Sequence, residues 1–325
     1  MRAGFLDAKP KRTKLTSSSS EPTAVLGSLS DNLDAVNPEA TRSFINDACA
    51  KHWRHGYEVV SPTTSDSHSA NLLLLLHGRG EASPTPFAKF AKSISLPHTT
   101  CVSLLGNRPL PFGLEGKEWF ENNDPETGDA LPKDGKDSRR IESLQKTVHQ
   151  LLAFIEALTT ESKQGLHFQS HRIHLFGFSD GGTVALEVAL RRFGEKRLGG
   201  CSVVAASLLP ETLTGPNQRS FETHTYAPTP LTLVGGALDP VVPVKSVLET
   251  QTVFQNVHPG CVADVFIDEK KTSHSMISSR SETTHLMKFW GMTLGVPKIK
   301  SSDLGSDVVE VERGEGGNLR VKSDT

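Results

Sequence analysis

The stretch HLFGFSDGG, residues 174–182, sets a serine between two glycines at the end of an apolar run, and TVALEVALRRF follows it. A buried strand that stops at Gly-Phe-Ser-Asp-Gly and resumes as an apolar helical pattern implies a strand-turn-helix elbow. Its bend is so sharp that the positions two before and two after the apex must lack bulk. Gly177, Ser179 and Gly181 fit that pattern, with the apex side chain projecting above the sheet. A serine there is worth little to packing and a great deal to chemistry, which makes it a candidate nucleophile.

Working outward, short apolar runs of strand length recur at 71–76 (NLLLLL), 99–105, 172–178, 201–207, 230–236 and 261–268. Several are apolar throughout rather than alternating, as in strands covered on both faces. Helical patterns separate many of them, at 86–94, 139–161, 183–193, 244–257 and 281–294. A further helix is expected from Asn37 as N-cap and Pro38 at the first helical position. Strand-helix alternation of this kind predicts an α/β fold, a mostly parallel sheet wrapped by helices. Residues 1–37 are polar, Ser-rich and aperiodic, and 298–325 are charged and Gly-rich. Both are expected to be disordered, leaving a domain at 38–297.

A serine hydroxyl needs a base to take its proton and a carboxylate to orient that base. In such a sheet these partners belong on loops after later strands, at the same edge as the elbow. LVGGALDPVVP (233–243) places Asp239 just beyond one strand, and VADVFIDEKKTSHSM (262–276) places His274 just beyond the next. The chain order Ser179, Asp239, His274 is that of α/β hydrolases. A tetrahedral intermediate also needs backbone N–H donors. Asp180, opening the elbow helix, supplies one, and Arg79, in the glycine-flanked His77-Gly78-Arg79-Gly80 loop, is the candidate for the other. Asp268 and His285 are the rival acid and base. The first sits on the strand leading to His274 and the second inside a helical pattern.

These motifs resemble the phospholipase/carboxylesterase family, which includes lysophospholipases and acyl-protein thioesterases. The likeness rests on LLHGRG (75–80), Trp119-Phe120, GFSDGG (177–182) against the family's GFSQGG, SLLP (207–210), GALDPVVP (236–243) and His274-Ser275 ahead of the last helix. It implies an α/β-hydrolase fold without a large cap domain, cleaving esters or thioesters of acyl chains. It further implies a Ser179–Asp239–His274 triad and an oxyanion hole from the amides of Arg79 and Asp180. Trp119, in a polar loop after the second strand, and Leu209, in SLLP, are expected to line the substrate pocket. The chain departs from the family at Asp180, where glutamine is usual, and at Arg79, where an apolar residue is usual. Its N-terminal extension, the 121–140 loop and the charged tail have no counterpart there.

Composition narrows the alternatives. With 35 basic and 37 acidic residues the formal charge is −2, which gives no global pull toward nucleic acid. No apolar run is long enough to span a bilayer, and the basic, Ser-rich start lacks the apolar core of a secretory signal. The four cysteines are scattered without a CxxC pair, as suits a reducing, cytoplasmic setting rather than a disulfide framework. His167, His171 and His174 lie close in sequence but run into a strand, so no metal site is expected, and the serine chemistry needs no cofactor. The expected partner is an acyl ester or thioester, whether small molecule, lipid or S-acylated protein. The alternative is a non-catalytic scaffold that keeps the fold as a receptor or interaction protein.

Overall fold

The computed structural model describes residues 38–62, 69–133, 137–162, 166–214, 226–295, 311–313 and 319–321. The N-terminal extension and most of the charged tail, where disorder is expected, lie outside the described residues. In chain order, α1 (Pro38–His52), β1 (Tyr57–Val60), β2 (Asn71–Leu76), α2 (Thr85–Ile94) and β3 (Thr99–Leu104) come first. The short strands β4 (Arg108–Pro109) and β5 (Lys117–Glu118) pair with each other ahead of α3 (Arg139–Thr159). Then follow β6 (Ile173–Phe178), α4 (Ser179–Leu190), β7 (Gly200–Val204), α5 (Pro210–Thr214), β8 (Leu231–Gly236), α6 (Val244–Val257), β9 (Ala263–Asp268) and α7 (Arg280–Thr293).

Seven strands make one sheet in the order β1-β3-β2-β6-β7-β8-β9. All neighbours are parallel except β1, which runs antiparallel to β3 at the edge. Leucine repetition in β2 is resolved by the pleat. Leu72, Leu74 and Leu76 face the side covered by α1, α3, α4 and α6, while Leu73 and Leu75 face α2 and α7. All five are fully buried, each contributing about 1.5–3 kcal/mol relative to exposure. The covering helices show the complementary period. In α3, Ile141, Leu144, Val148, Leu151, Ile155 and Leu158 recur at three- and four-residue steps and are all buried.

Several short elements carry no signal in the sequence, among them β4, β5, α5, β1 and a strand pair in the tail. β1 has no periodic signal of its own, because four residues at an edge are held by pairing to β3 rather than by an apolar pattern. In the tail, β10 (Val311–Arg313) and β11 (Leu319–Val321) pair antiparallel. Among the described residues no helix is long and apolar enough to cross a membrane. No group of three or more His, Cys, Asp or Glu side chains is placed to hold a metal there. The four cysteines are buried free thiols, and burial pushes the Cys49 and Cys101 pKa values up to about 12.

Two histidines are buried in neutral form. Burial drives the pKa of His174 in β6 down to about 3 and that of His77, just past β2, down to about 4. Neither ring nitrogen of His174 has a hydrogen-bond partner among the described residues. Unfolding releases both rings to an ordinary pKa near 6.5. The unfolded chain therefore binds more protons as pH falls below that value. Stability present above about pH 6.5 should drain away toward pH 4, at about 1.4 kcal/mol per pH unit for each ring. Urea unfolding at pH 7 and pH 5 should show this loss, and His174→Leu should make the slope shallower by the share of one ring. An unchanged slope in that variant would mean that His174 is not held neutral.

Candidate active site

The elbow forms where the sequence places it. β6 ends at Phe178, and Ser179 opens α4 with φ of 52°, a left-handed conformation that a non-glycine residue adopts at a cost of about 1–3 kcal/mol. The flanking glycines permit it. A Cβ on Gly181 would stand 2.3 Å from the His77 carbonyl oxygen, and one on Gly177 would stand 2.5 Å from the Gly182 Cα. With no room for side chains, α4 packs directly on the ends of β2 and β6.

Asp239 follows β8 and His274 follows β9. The His274 Nε2 lies 2.7 Å from the Ser179 Oγ, and its Nδ1 lies 2.9 and 3.1 Å from the two oxygens of Asp239. Asp239 Oδ1 also accepts the amides of Val241 (2.8 Å) and Val242 (3.0 Å). Burial works to raise its pKa, but the Val242 and Val241 amides and the imidazole outweigh that and hold it below the ordinary range. The Phe178 ring stacks on His274 at 5.3 Å between centroids. The rivals lie elsewhere. Asp268 accepts the Lys270 amide at the end of β9, and the His285 ring meets the Thr232 hydroxyl at 2.8 Å.

The His77–Gly80 loop is set by its own histidine. His77 Nε2 accepts the Gly106 amide at 2.8 Å, so Nδ1 carries the proton and donates to the Gly78 carbonyl at 2.5 Å. In a trans peptide the Arg79 N–H lies in the same plane and points away from the Gly78 carbonyl, and so away from the His77 ring. Gly78 has to be glycine, because a Cβ there would strike the Phe178 ring at 2.6 Å, and it would stand 3.5 Å from the Ser179 Cβ. The Asp180 amide, in the first turn of α4, is one of the donors a helix leaves unpaired. Its side chain accepts from Asn122 Nδ2 at 2.8 Å, and burial raises its pKa against the lowering effect of Arg79 and Arg140.

Ser179, Asp180, His274, Arg79 and Leu209 line one cavity of about 940 Å³. Trp119 does not. It is fully buried, donates through Nε1 to the His77 carbonyl at 2.7 Å and packs on Trp53 and His77. The polar loop around it suggests a pocket wall, but the indole turns inward because its apolar area finds the core and its N–H finds a carbonyl. Its part is to brace the His77–Gly80 loop from behind.

The sequence reading also missed the tie between the loops of Asp239 and His274. Lys271 is buried and gives its Nζ to Glu282 Oε1 (2.7 Å) and to the Met276 carbonyl (3.0 Å). Its own carbonyl accepts the Leu238 amide at 3.1 Å. Glu282 Oε2 takes the amides of Ser278 and Ser279, closing a capping box at the start of α7. The Ser279-x-x-Glu282 spacing carries that signal in sequence, whereas nothing local marks Lys271.

With this geometry in view, the comparisons decide the family. Residues 55–288 match the phospholipase/carboxylesterase family. The chain belongs to that family. An uncharacterized hydrolase of Schizosaccharomyces pombe is 28% identical over 151 residues, a match taking in 45% of this chain and 57% of that protein. Three solved structures share the fold. Esterase PE8 has 22% identity and a TM-score of 0.54, over 74% of this chain and 99% of its own. Acyl-protein thioesterase 2 of Zea mays has 20% and 0.51, over 74% and 99%. A Bacillus cereus carboxylesterase has 17% and 0.54, over 77% and 99%. The fold is thus that of an α/β hydrolase of the phospholipase/carboxylesterase family, and no large cap occurs among the described residues.

Lys271→Met leaves the Glu282 carboxylate buried without its cation, and should cost about 3–5 kcal/mol. Adding Glu282→Gln removes the stranded charge while keeping an amide oxygen for the Ser278 and Ser279 amides, and should recover most of that loss. Thermal unfolding of the two variants checks this, and equal stability of both would show that the pair is not the anchor of the loop.

Proposed function

We propose that the protein is a serine hydrolase of carboxylic esters or thioesters of acyl chains. Ser179 is its nucleophile, His274 its general base and acid, and Asp239 the group that orients and steadies the imidazole. The observation that carries this reading is the unbroken run of hydrogen bonds from Asp239 through His274 to the Ser179 Oγ. As Oγ attacks the substrate carbonyl, the proton passes to His274 Nε2, and the fixed carboxylate stabilises the imidazolium without being protonated itself. The oxyanion is received by the amides of Arg79 and Asp180, the first aimed by His77 and the second by the start of α4. Collapse of the tetrahedral species breaks the C–O or C–S bond, and His274 returns its proton to the leaving alcohol or thiol. Water then repeats the sequence on the acyl-enzyme.

The chemistry supplies its own nucleophile and base, so it calls for no metal or nucleotide. A non-catalytic scaffold has no use for a strained φ at Ser179 or for a carboxylate held ionised behind a histidine, and no observation favours that reading.

A fluorophosphonate probe should label the wild type and leave Ser179→Ala unlabelled. His274→Ala should lower ester turnover by about 10⁴–10⁶-fold, while His285→Ala, in α7 with its ring against Thr232 at the start of β8, should change it little. Chelators should have no effect. Equal labelling of Ser179→Ala, or a larger loss in His285→Ala than in His274→Ala, would overturn the assignment.

A further inference from the structure

The cavity in front of Ser179 has two unlike walls. One is apolar, built from Leu208, Leu209, Val241 and Val242 with neighbouring prolines. The other carries Arg79, Arg140 and Lys133 beside the amides of Asn122 and Asn123. Against these three cationic side chains the lining offers one carboxylate, Asp180, already taken by Asn122. The carboxylates that hold the arginines stand behind them and do not line the cavity. Glu118 accepts Arg79 Nε at 3.1 Å and Glu211 accepts Arg140 Nη1 at 3.1 Å, with side chains 5% and 2% exposed.

Arg140 is the telling member. A guanidinium has five N–H donors. Arg140 is only 7% exposed, and its Nε has no hydrogen-bond partner among the described residues. A buried cation with a donor unspent is costly, and a negative charge in the cavity that Arg140 lines offsets that cost. Its carbon lies 6.0 Å from the Phe120 ring centroid, and Glu211 anchors it from behind, so it cannot simply swing into solvent. The wall also begins beside the nucleophile. Arg79 adjoins Gly78, which approaches the Ser179 Cβ, and Asn122 bonds the residue next to Ser179.

We propose that this wall is an anion-accepting subsite, and that the preferred substrates are esters bearing a carboxylate or phosphate a few bonds from the scissile carbonyl. The apolar remainder of the substrate lies against Leu208, Leu209, Val241 and Val242. This rests on the hydrolase reading above and adds the substrate class to it. Asp180 fits the same picture, because burial already weakens the hold of the one competing acid on its charge.

Two matched pairs of esters test it. In the first, monoethyl succinate is compared with ethyl isocaproate, whose isopropyl group replaces the carboxylate. In the second, a monoacylglycerol is compared with its phosphate, which places the anion in the alcohol half. In wild type the anionic member of at least one pair should have a kcat/KM higher by about tenfold or more. The pair that shows it tells which half of the ester meets the wall. In Arg140→Gln combined with Glu211→Gln, which leaves no stranded buried charge, that ratio should fall toward one. Taking the ratio within each variant cancels any general loss of folded enzyme. Preference for the neutral member in both pairs, or an anionic preference that survives in the double variant, would overturn the subsite. Fluorophosphonate labelling of the same wild-type samples separates the two levels. Labelled enzyme that prefers neutral esters refutes the subsite alone, whereas unlabelled enzyme that cleaves neither pair refutes the hydrolase reading with it.

Discussion

Everything at this site depends on how closely α4 is allowed to approach the sheet. The Gly181 Cα sits where a methyl group would be 2.3 Å from the His77 carbonyl oxygen and 2.5 Å from that of Leu76. That contact forces the left-handed φ at Ser179 and lifts its side chain clear of the strand. It also seats the first turn of α4 against the His77–Gly80 loop, so that the Asp180 and Arg79 amides belong to one small region. The fully buried leucines of β2 and the covering helices make that approach rigid. Strain at one residue is held in place by the packing of the whole sheet.

The second constraint is polar and lies in layers behind the first. His77 is buried in neutral form, and each of its ring nitrogens has one fixed partner. Trp119 holds the His77 carbonyl, and Thr147 in turn donates to the Trp119 carbonyl at 2.5 Å. On the far side of the cavity Lys271 ties the loop of His274 to the loop of Asp239. None of these groups touches the cavity space where a substrate carbonyl would sit, yet together they leave the reacting groups little freedom. Orientation of this kind is the part of catalysis a folded chain supplies before any substrate arrives.

How much of this can be read from the sequence follows from how local each signal is. The elbow is legible because its glycines and serine lie within five residues, and their spacing is itself the steric requirement. The central strands are legible because burial on both faces demands continuous apolar runs. β1 is not, because an edge strand of four residues takes its structure from its neighbour. Trp119 misleads for a similar reason. Its surrounding residues are polar, but its partners, Trp53 and His77, are 66 and 42 positions away. Lys271 looks like one more charge in EKK, and only the fold brings it to a glutamate eleven residues on and buries both.

Charge shows the same limit and also what the fold adds. Arg79 is visible in sequence as a departure from the family pattern, but its meaning is not, because Glu118 lies 39 residues away and Glu211 lies 71 residues from Arg140. The near-neutral total of the chain says nothing about how charge is sorted. Folding sorts it by placing the carboxylates behind and the guanidinia toward the cavity, so a chain with a formal charge of −2 presents a cationic wall beside Ser179. In a cavity lined by protein such a wall acts at short range on whatever lies against it. Family membership supports the proposed reaction class, and the elbow with the groups gathered around it is the geometry that reading rests on. Of the places where this chain departs from its family, Arg79, Asp180 and part of the 121–140 loop meet at one cavity, which is where the proposed choice among substrates would be made.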